Sequence, residues 1–327
     1  MRYLPSCEAV TEESVQTVDV VITEVGPRDG LQNTANFMPT AAKKAWISAE
    51  AAAGVRAIEV CSFVPAKLIP QFADAEEVLA HANSLPGLTA VVLVPNLKGC
   101  ERALAAGARR VMVPISVSEA HSMSNVRKST AQAIEEFARM AELVRAQPAD
   151  RRARLVGACS TAFGCSLQGT VAEDDVLRVA LALRAASADA ITLADTVGYA
   201  NPEQVKRLFG KVRKAIGEDY PIEAHFHNTR GLGLANALAA FETGVRHFDS
   251  TLGGLGGCPF APGASGNVVT EDLVFMFEAM GVNTGIDLAK LIEVRRSAFA
   301  ALPGAELYGH ISKAGLPKGF EAGAQAA

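Results

Sequence analysis

The stretch AITLADTVGYANPEQVKRLFGKVRKAIG, residues 190–217, contains one complete strand–helix unit. Its first seven residues form a short apolar run that is typical of a buried strand, and the segment from residue 202 onward has apolar residues at helical spacing. Gly217 stands where a helix stop is expected. A second strand candidate, IEAHFHN at 222–228, follows closely. A strand, a helix and another apolar strand in this order indicate a parallel sheet with helical crossovers.

The same unit recurs along the chain. The strand candidates are VDVVITEV (18–25), AIEVCSF (57–63), LTAVVLV (88–94), RVMVPISV (110–117), RLVGACS (154–160), AITLADT (190–196), IEAHFHN (222–228) and HFDSTLG (247–253). Eight units in one uninterrupted chain favour an α/β fold of the closed (β/α)8 TIM-barrel type. The alternative is an open doubly wound sheet, which usually carries a G-x-G-x-x-G turn after its first strand. The turn found here, GPRDGLQN, does not have that pattern.

The domain organisation predicted from this pattern is simple. Residues 1–300 are expected to form a single catalytic barrel domain, with two further helices within 268–300 packed on it. Residues 301–327 are expected to be a C-terminal tail, partly flexible. No stretch of the sequence has the composition of a linker to a second domain.

Composition narrows the possible partners and the compartment. The net charge of −4 gives no indication of a nucleic-acid or anionic-membrane surface, and no apolar run reaches the length of a membrane span. The N-terminus does not have a secretory-signal profile. Six cysteines without any C-x-x-C pair indicate reduced thiols in a cytoplasmic protein. Three short basic pairs are interpreted as solvated loop charge, with contact to a phosphorylated small molecule left open; they are Arg109-Arg110, Arg127-Lys128 and Arg151-Arg152.

Residues capable of chemistry collect at the ends of the predicted strands, where a barrel of this type has its active site. His225 and His227 alternate along one strand and therefore point to the same side. An isolated H-x-H pair is compatible with a metal site or with two hydrogen-bonded histidines. Asp29 and Asn267 lie at neighbouring strand ends, and together with two imidazoles they suit Mg²⁺ or Mn²⁺ better than structural zinc.

Two loops complete the candidate site. In VGPRDGLQN (25–33) two glycines and a proline make a stiff turn that holds Arg28 and Asp29, either as site residues or as a surface ion pair. GGLGGCPFAPGASGN (253–267) surrounds Cys258 with six glycines and lacks the GK[ST] of a phosphate loop. Its composition fits a mobile lid that carries Cys258 or, alternatively, a long loop with an incidental cysteine.

Over residues 18–295 the sequence resembles the hydroxymethylglutaryl-CoA lyase family, within the wider group of metal-dependent TIM-barrel lyases and Claisen-type synthases. The motifs that carry the resemblance are EVGPRDGLQN, IEVCSFVPAKLIPQFAD, LADTVGYANP, HFHNTRGLGLAN and GGLGGCPFAPGASGNVVTEDLV. The cysteine-containing motif is the most specific, because the condensing synthases of the wider group do not share it.

The resemblance implies a role for each candidate residue. Asp29, His225, His227 and Asn267 would be metal ligands, Arg28 would stabilise the enolate oxygen, Cys258 would deliver a proton, and Glu59 would support Arg28 or the ligands. Glu24, Thr192 and Asp195 would line or buttress the pocket, and Ser62 could hydrogen-bond the substrate. Gln32, Asn33 and Arg230 complete the expected substrate-binding set. The family also implies a small-molecule acyl-CoA substrate and a homo-oligomer, either a dimer or a tetramer.

The implied reaction is a retro-Claisen cleavage of 3-hydroxy-3-methylglutaryl-CoA to acetoacetate and acetyl-CoA, in the setting of leucine degradation. His225, a carboxylate such as Asp29, or water remains open as the base for the C3 hydroxyl proton. The chain departs from the family pattern at Thr34-Ala35, at residues 159–169 and at Asn228-Thr229-Arg230. These departures keep open the same chemistry on citramalyl-CoA or a longer 3-substituted glutaryl-CoA. A condensing synthase and a catalytically silent binding barrel are further alternatives.

Overall fold

A computed structural model describes residues 18–32, 34–256 and 266–322 of the chain. Eight parallel strands follow each other in sequence order, and the last pairs with the first to close a barrel. This confirms the predicted (β/α)8 fold. The strands are β1 (Val21–Glu24), β2 (Ala57–Ser62), β3 (Thr89–Leu93), β4 (Arg110–Ser116), β5 (Arg154–Ser160), β6 (Ala190–Asp195), β7 (Ile222–Phe226) and β8 (His247–Ser250).

Helices surround the barrel and fill the crossovers between its strands. They are α1 (Thr40–Ala52), α2 (Ala75–Asn83), α3 (Leu97–Ala105), α4 (Glu119–Val126), α5 (Thr130–Arg145), α6 (Glu173–Ala185), α7 (Pro202–Ile216) and α8 (Gly233–Glu242). Helix α7 shows why the sequence pattern was informative. The Asn201 side chain caps its first turn by accepting a hydrogen bond from the backbone N–H of Gln204, and the helix ends at Gly217, whose φ is 109°.

Further helices follow the barrel, as predicted for residues 268–300. They are α9 (Thr270–Ala279) and α10 (Leu288–Ala300), with a short α11 (Ile311–Ala314) beyond them. The segment after α10 is bound to the barrel: the Tyr308 N–H donates to the Gly253 carbonyl at 2.8 Å, and the His310 N–H donates to the Asp272 carboxylate at 2.9 Å. None of the helices in the described ranges is long and apolar enough to span a membrane.

Two apolar clusters make up the core. The larger lies mainly between strands and helices, whereas the smaller is Val91, Met112, Val156, Ala158 and Ala190, all from strands. Alternation along the strands turns one set of side chains toward the helices and the other into the barrel. The side chains of the smaller cluster are few and mostly small. The barrel interior is therefore incompletely filled below its carboxyl-terminal rim.

The structure shortens several predicted strands, and at β7 this affects the candidate site. The predicted strand ran to residue 228, but β7 ends at Phe226, and His227 forms an isolated antiparallel bridge with Asn267. The strand ends here because the backbone groups of residues 226 and 228 form hydrogen bonds with the loop after β8. The Val268 N–H donates to the Phe226 carbonyl, and the Asn228 N–H donates to the Gly266 carbonyl. This exchange brings the loop residue Asn267 beside His227.

Candidate active site

A cavity of about 660 Å³ opens at the carboxyl-terminal end of the barrel. Each of the eight strands contributes to its lining, for example through Thr23, Glu59, Leu93, Pro114, Ser160, Thr192, His225 and Asp249. Arg28, Asp29, Gln32 and His227 line it from the loops that follow the strands. The residues that sequence reasoning placed at strand ends are thus largely brought to one cavity, at the barrel end where enzymes of this fold carry their active sites.

Three potential metal ligands converge on one side of this cavity. One ligand atom each from Asp29, His225 and His227 lies within 4.8 Å of the others. The two imidazole rings have centroids 5.1 Å apart, and the Asp29 Oδ2 atom lies 3.8 Å from His227 Nε2. The prediction that the two histidines point to the same side is confirmed.

Asn267 completes the cluster from the loop that follows β8. Its amide nitrogen donates to the Asp29 Oδ2 atom at 2.7 Å. Its Oδ1 atom is buried and has no hydrogen-bond partner among the described residues. A buried oxygen without a partner beside a carboxylate and two imidazoles is a donor set that fits a divalent cation such as Mg²⁺ or Mn²⁺.

The turn after β1 holds Arg28 and Asp29 in a fixed conformation. It is a π-helical turn, Gly26–Gly30, in which the Val25 carbonyl accepts hydrogen bonds from the N–H groups of Arg28, Asp29 and Gly30 at 3.1, 2.7 and 3.4 Å. Gly26 is required by close approach, because a Cβ atom there would lie 2.4 Å from a carboxylate oxygen of Glu24. The stiff turn predicted from the sequence is therefore present, and it lies at the rim of the cavity.

Arg28 bridges two carboxylates. Its Nε atom lies 2.5 Å from Glu59 Oε2, and its Nη1 atom lies 2.7 Å from Asp29 Oδ1. Burial acts to lower the pKa of Arg28, but Glu59 and Asp29 outweigh it, so the pKa is raised and the guanidinium stays charged. Burial acts to raise the pKa of Asp29, yet Arg28 and the two histidines hold it well below its usual value. Burial raises the pKa of Glu59 to about 7 despite the adjacent Arg28.

Sequence reasoning missed Asp249, a cavity-lining residue of β8. Its Oδ2 atom lies 3.1 Å from His225 Nδ1, which leaves Nε2 as the ring nitrogen available to the ligand cluster. Burial lowers the pKa of His225, but the Asp249 contact outweighs it and the net shift is upward. The available signal was an acid inside the apolar strand HFDSTLG, which is the same signal that singled out Glu59.

Two predicted substrate-binding residues do not line the cavity. The Glu24 carboxylate is fully buried and accepts hydrogen bonds from Gly26 N, Leu252 N and Thr270 Oγ1 at 2.8, 2.9 and 2.7 Å, and burial raises its pKa to about 8. The Ser62 hydroxyl donates to the Leu93 carbonyl at 3.3 Å. Glu24 thus buttresses the turn that carries Arg28. Ser62 lies just beyond a bulge in the pairing of β2 with β3, and its hydroxyl also accepts a hydrogen bond from the Val64 N–H at 3.3 Å, so it is used within the strand end.

Asp195 and Arg230 shape a loop instead of lining the cavity. The Asp195 carboxylate accepts hydrogen bonds from the N–H groups of Tyr199 and Ala200 at 2.8 and 3.1 Å. The Arg230 guanidinium donates to the Val197 and Gly198 carbonyls and stacks over the Tyr199 ring at 4.5 Å. Both side chains therefore stabilise the loop that follows β6. Asp195 was expected either to line or to buttress the pocket, and its position is that of a buttress.

The remaining candidates divide into three groups. Gln32 and Thr192 line the cavity, as expected for substrate-binding residues. Asn33 and Cys258 lie outside the described residues. Four other cysteines are buried and not disulfide-bonded; they are Cys61, Cys100, Cys159 and Cys165.

The structure corrects the interpretation of one basic residue, Arg110, as solvated loop charge. Arg110 is buried in the barrel interior, where its Nη2 atom lies 2.5 Å from Glu223 Oε1, and it lines the cavity. The loop interpretation was wrong because Arg110 begins β4 and faces inward with Met112. Just after α4, Arg127 is exposed and Lys128 is partly exposed, as expected for solvated loop charge, and both also line the cavity.

Comparison with known proteins identifies relatives along nearly the whole chain. The HMGL-like family model matches residues 19–297. The mitochondrial hydroxymethylglutaryl-CoA lyase of Mus musculus is 41% identical over 295 residues, which are 89% of this chain and 88% of that protein. The cytoplasmic 3-hydroxy-3-methylglutaryl-CoA lyase of Rattus norvegicus is 40% identical over 84% of this chain and 78% of its own.

Solved structures of lyases with the same name are also similar to this chain. An HMG-CoA lyase from Acinetobacter baumannii, solved in complex with coenzyme A and 3-methylmalate, superposes with a TM-score of 0.85 at 42% identity, covering 92% of this chain and 97% of that one. A hydroxymethylglutaryl-CoA lyase from Pseudomonas aeruginosa also gives 0.85, at 36% identity over 90% and 97% of the two chains.

Proposed function

Because the chain belongs to the HMGL-like family, we propose that it is a carbon–carbon lyase that cleaves 3-hydroxy-3-methylglutaryl-CoA to acetyl-CoA and acetoacetate. The observation that carries the proposal is the cluster of Asp29, His225, His227 and Asn267 beside Arg28 in one cavity. A bound cation would help the C3 hydroxyl to lose its proton, and a fixed guanidinium would stabilise the negative charge that develops on the thioester oxygen.

Asp29, His225, His227 and Asn267 would hold a divalent cation, either Mg²⁺ or Mn²⁺. When bound, such a cation lowers the pKa of a substrate hydroxyl in contact with it. The protein supplies the rest of the arrangement. Arg28 keeps Asp29 ionised, and Asp249 fixes the orientation of the His225 ring, as carboxylates commonly do for metal-binding histidines.

Substitution of Asp249 tests whether this residue acts by orienting the His225 ring and not as a cation ligand itself. Asp249→Ala should weaken Mn²⁺ binding by about 10- to 100-fold, because the His225 ring loses the partner that orients it. Asp249→Asn keeps an oxygen that can accept a hydrogen bond from Nδ1, so it should recover most of this loss. Titration of each protein with Mn²⁺, followed by electron paramagnetic resonance of the free ion, measures the effect. Unchanged binding by the alanine variant would exclude the positioning role.

In the cleavage step, the C3 hydroxyl loses its proton and its oxygen becomes the ketone of acetoacetate as the C2–C3 bond breaks. The bonding electrons move to C2 and are delocalised onto the thioester oxygen, where Arg28 would stabilise the developing negative charge. Arg28 suits this role because its guanidinium is charged and is held on two sides by Glu59 and Asp29. Protonation of C2 then yields acetyl-CoA.

Two proton transfers complete the reaction. Cys258 remains the proposed acid that protonates C2, on the basis of the family resemblance. Asp29 and His225 are both members of the ligand cluster. The His225 Nδ1 atom is held by Asp249, so with Nε2 in the ligand cluster neither ring nitrogen is free to take a proton. This arrangement favours water over both side chains for removal of the hydroxyl proton.

The coenzyme A part of the substrate carries phosphates, and we propose that Arg127 binds one of them. Arg127 lines the cavity directly after α4, with φ of 56° and ψ of 35°, a left-handed conformation that costs free energy for a residue with a side chain. Lys128 next to it is paired with Glu136. Within residues 18–32, 34–256 and 266–322, no carboxylate forms an ion pair with Arg127, so its charge is available to a ligand.

Removal of this charge gives a prediction specific to the coenzyme. Arg127→Ala should raise KM for the coenzyme A thioester by about tenfold, the low end of the range for a charged hydrogen bond, with little change in kcat. The corresponding pantetheine thioester, which has no phosphates, should show no change in KM. Arg178→Ala serves as a control, since that arginine pairs with Asp175 on the exposed face of α6. An equal rise in KM for both thioesters would contradict phosphate binding.

Citramalyl-CoA is the second candidate substrate, because the Acinetobacter relative was solved with 3-methylmalate, a hydroxy diacid shorter than the glutaryl group. The two substrates give different products. Purified protein with Mg²⁺ or Mn²⁺ should release acetyl-CoA and acetoacetate from 3-hydroxy-3-methylglutaryl-CoA. If pyruvate from citramalyl-CoA is instead released with the higher kcat/KM, the reaction class stands and the substrate assignment fails. If neither thioester is cleaved, the lyase proposal fails.

The cellular setting is also proposed. A cytoplasmic location is supported by the similarity to the cytoplasmic rat enzyme, although other relatives are named mitochondrial. A homodimer or homotetramer and a role in leucine degradation follow from the family resemblance. Light scattering of the purified protein measures the oligomeric state directly.

A further inference from the structure

A buried ring of hydrogen bonds joins the C-terminal segment to the loop that follows β8. The Arg295 Nη1 atom of α10 donates to Glu271 Oε1 at 2.7 Å and to the Tyr308 carbonyl at 2.8 Å. Glu271 Oε2 accepts a hydrogen bond from the Gly253 N–H at 2.9 Å, and the Gly253 carbonyl accepts one from the Tyr308 N–H at 2.8 Å. Arg295 is 9% exposed and Glu271 is fully buried. The ring therefore holds both backbone polar groups of Gly253.

Gly253 lies within residues 252–256, which we call the bridge segment because they connect this ring to the turn after β1. The Leu252 N–H donates to Glu24 Oε1 at 2.9 Å. The same oxygen accepts a hydrogen bond from the Gly26 N–H at 2.8 Å. One carboxylate oxygen therefore fixes both the bridge segment and the start of the turn.

The other end of the bridge segment is in direct contact with the end of that turn. A Cβ atom on Gly256 would lie 2.9 Å from the Gly30 Cα atom and 3.1 Å from the Asp29 carbonyl oxygen, so no side chain fits between the two backbones. Leu255 packs against the same turn, since a Cβ atom on Gly30 would lie 2.9 Å from the Leu255 Cδ2 atom. A displacement of the bridge segment would therefore displace the backbone of Asp29.

Arg295 supplies the charge that the ring requires. Burial raises the pKa of Glu271, although the contacts with Arg295 and with the Gly253 N–H act to lower it. Without Arg295 the buried carboxylate would lose its ion-pair partner, which is costly inside a protein. The Tyr308 carbonyl would lose its hydrogen bond from Arg295 in the same step. The two residues that hold Gly253 would therefore both be left without this support.

We propose that Arg295 is a positioning residue for the cleavage reaction. It holds the bridge segment, and the bridge segment holds the turn that places Arg28 and Asp29 at the cavity. Arg295 is not among the described residues that line the cavity, so it acts only through these neighbours. This inference rests on the proposed lyase function, and it gives the helices after the barrel a part in the reaction.

The kinetic test compares two neighbouring arginines of α10. Arg295→Met should lower kcat for 3-hydroxy-3-methylglutaryl-CoA at saturating Mn²⁺ by about a hundredfold, the loss that a small misplacement of catalytic groups by a distant change can cause. Arg295→Lys should recover part of this loss, because the single Nη1 atom makes both native contacts and an ammonium group can replace it. Arg296→Met is the matched control, since Arg296 is exposed and pairs only with Glu293. Its kcat should equal that of the wild type.

Hydrogen exchange followed by mass spectrometry separates positioning from a general loss of stability. In folded Arg295→Met, backbone amides in peptides that cover the bridge segment and residues 24–32 should exchange about tenfold faster than in the wild type. Peptides from β4 and β5 should be unchanged, because these strands lie away from the ring. Faster exchange throughout the barrel would indicate a merely structural role and would overturn the proposal.

Other results would also overturn it. These are a kcat of folded Arg295→Met within about tenfold of the wild type, and unchanged exchange at residues 24–32. If Arg295→Met does not fold, the double variant Arg295→Met with Glu271→Gln supplies the same comparison without an unpaired buried charge, and it should show the same changes in kcat and exchange. If the wild type cleaves no thioester, the lyase proposal fails, whereas the exchange measurement still decides whether Arg295 holds the turn.

Discussion

Arg28→Met should lower kcat for 3-hydroxy-3-methylglutaryl-CoA by about a thousandfold, the loss expected when a fixed donor to a developing oxyanion is removed. Methionine retains much of the side-chain volume but has no charge or hydrogen-bond donor. KM should change much less than kcat, because the interaction develops mainly as the C2–C3 bond breaks. Steady-state kinetics with coupled detection of acetyl-CoA measures both parameters.

Arg28 also neutralises Glu59 and Asp29, so the loss of activity must be separated from loss of the fold. Thermal unfolding and circular dichroism should show a folded variant with a lower Tm. Arg28→Lys provides a second comparison, since lysine keeps the charge but cannot contact two carboxylates through a planar guanidinium. It should retain more activity than the methionine variant. A folded methionine variant with kcat within tenfold of wild type would contradict the role given to Arg28.

His227→Ala should reduce both Mn²⁺ affinity and turnover by more than about a hundredfold. Loss of an orienting neighbour already costs 10- to 100-fold in such sites, and loss of a ligand should cost more. Because the remaining donors are Asp29, His225 and Asn267, high Mn²⁺ concentrations should restore part of the activity. Measuring activity as a function of Mn²⁺ concentration shows whether the two losses are linked.

His81→Ala is a control outside the cavity. The His81 side chain contacts Ser48 Oγ at 2.8 Å between α2 and α1, so its loss should leave Mn²⁺ binding unchanged. The ligand assignment would be contradicted by a folded His227→Ala protein that binds Mn²⁺ as tightly as wild type. It would also be contradicted by weakened binding with unchanged turnover at limiting Mn²⁺.

The barrel could be predicted from sequence because each unit repeats one signal, a short apolar strand followed by a helix. The ligand cluster could be predicted in part, since alternation alone brings His225 and His227 to one side of β7. Asp29 was located by the glycine-rich turn around it. Its contact with Asn267 depends on the bridge between residues 227 and 267, which joins segments 40 positions apart. No local pattern encodes that contact.

The alternation of side chains along a strand also explains why two residues predicted to bind the substrate do not line the cavity. Thr192 faces the cavity, so Asp195, three positions later on β6, faces away from it. Glu24 follows the cavity-lining Thr23 and has the opposite orientation. The polar character of these residues indicated a role near the site but not the direction of the side chain. The Arg110–Glu223 pair joins strands 113 positions apart, and only the closed barrel brings it together.

The most direct test of the proposed reaction is a product measurement on metal-free protein. Protein treated with a chelator and then dialysed should release no acetyl-CoA from 3-hydroxy-3-methylglutaryl-CoA. Titration with Mn²⁺ should restore cleavage up to one ion per chain, with acetyl-CoA and acetoacetate formed in equal amounts. The proposal would be contradicted by cleavage at the full rate in the presence of chelator, by unequal amounts of the two products, or by no cleavage with either Mg²⁺ or Mn²⁺.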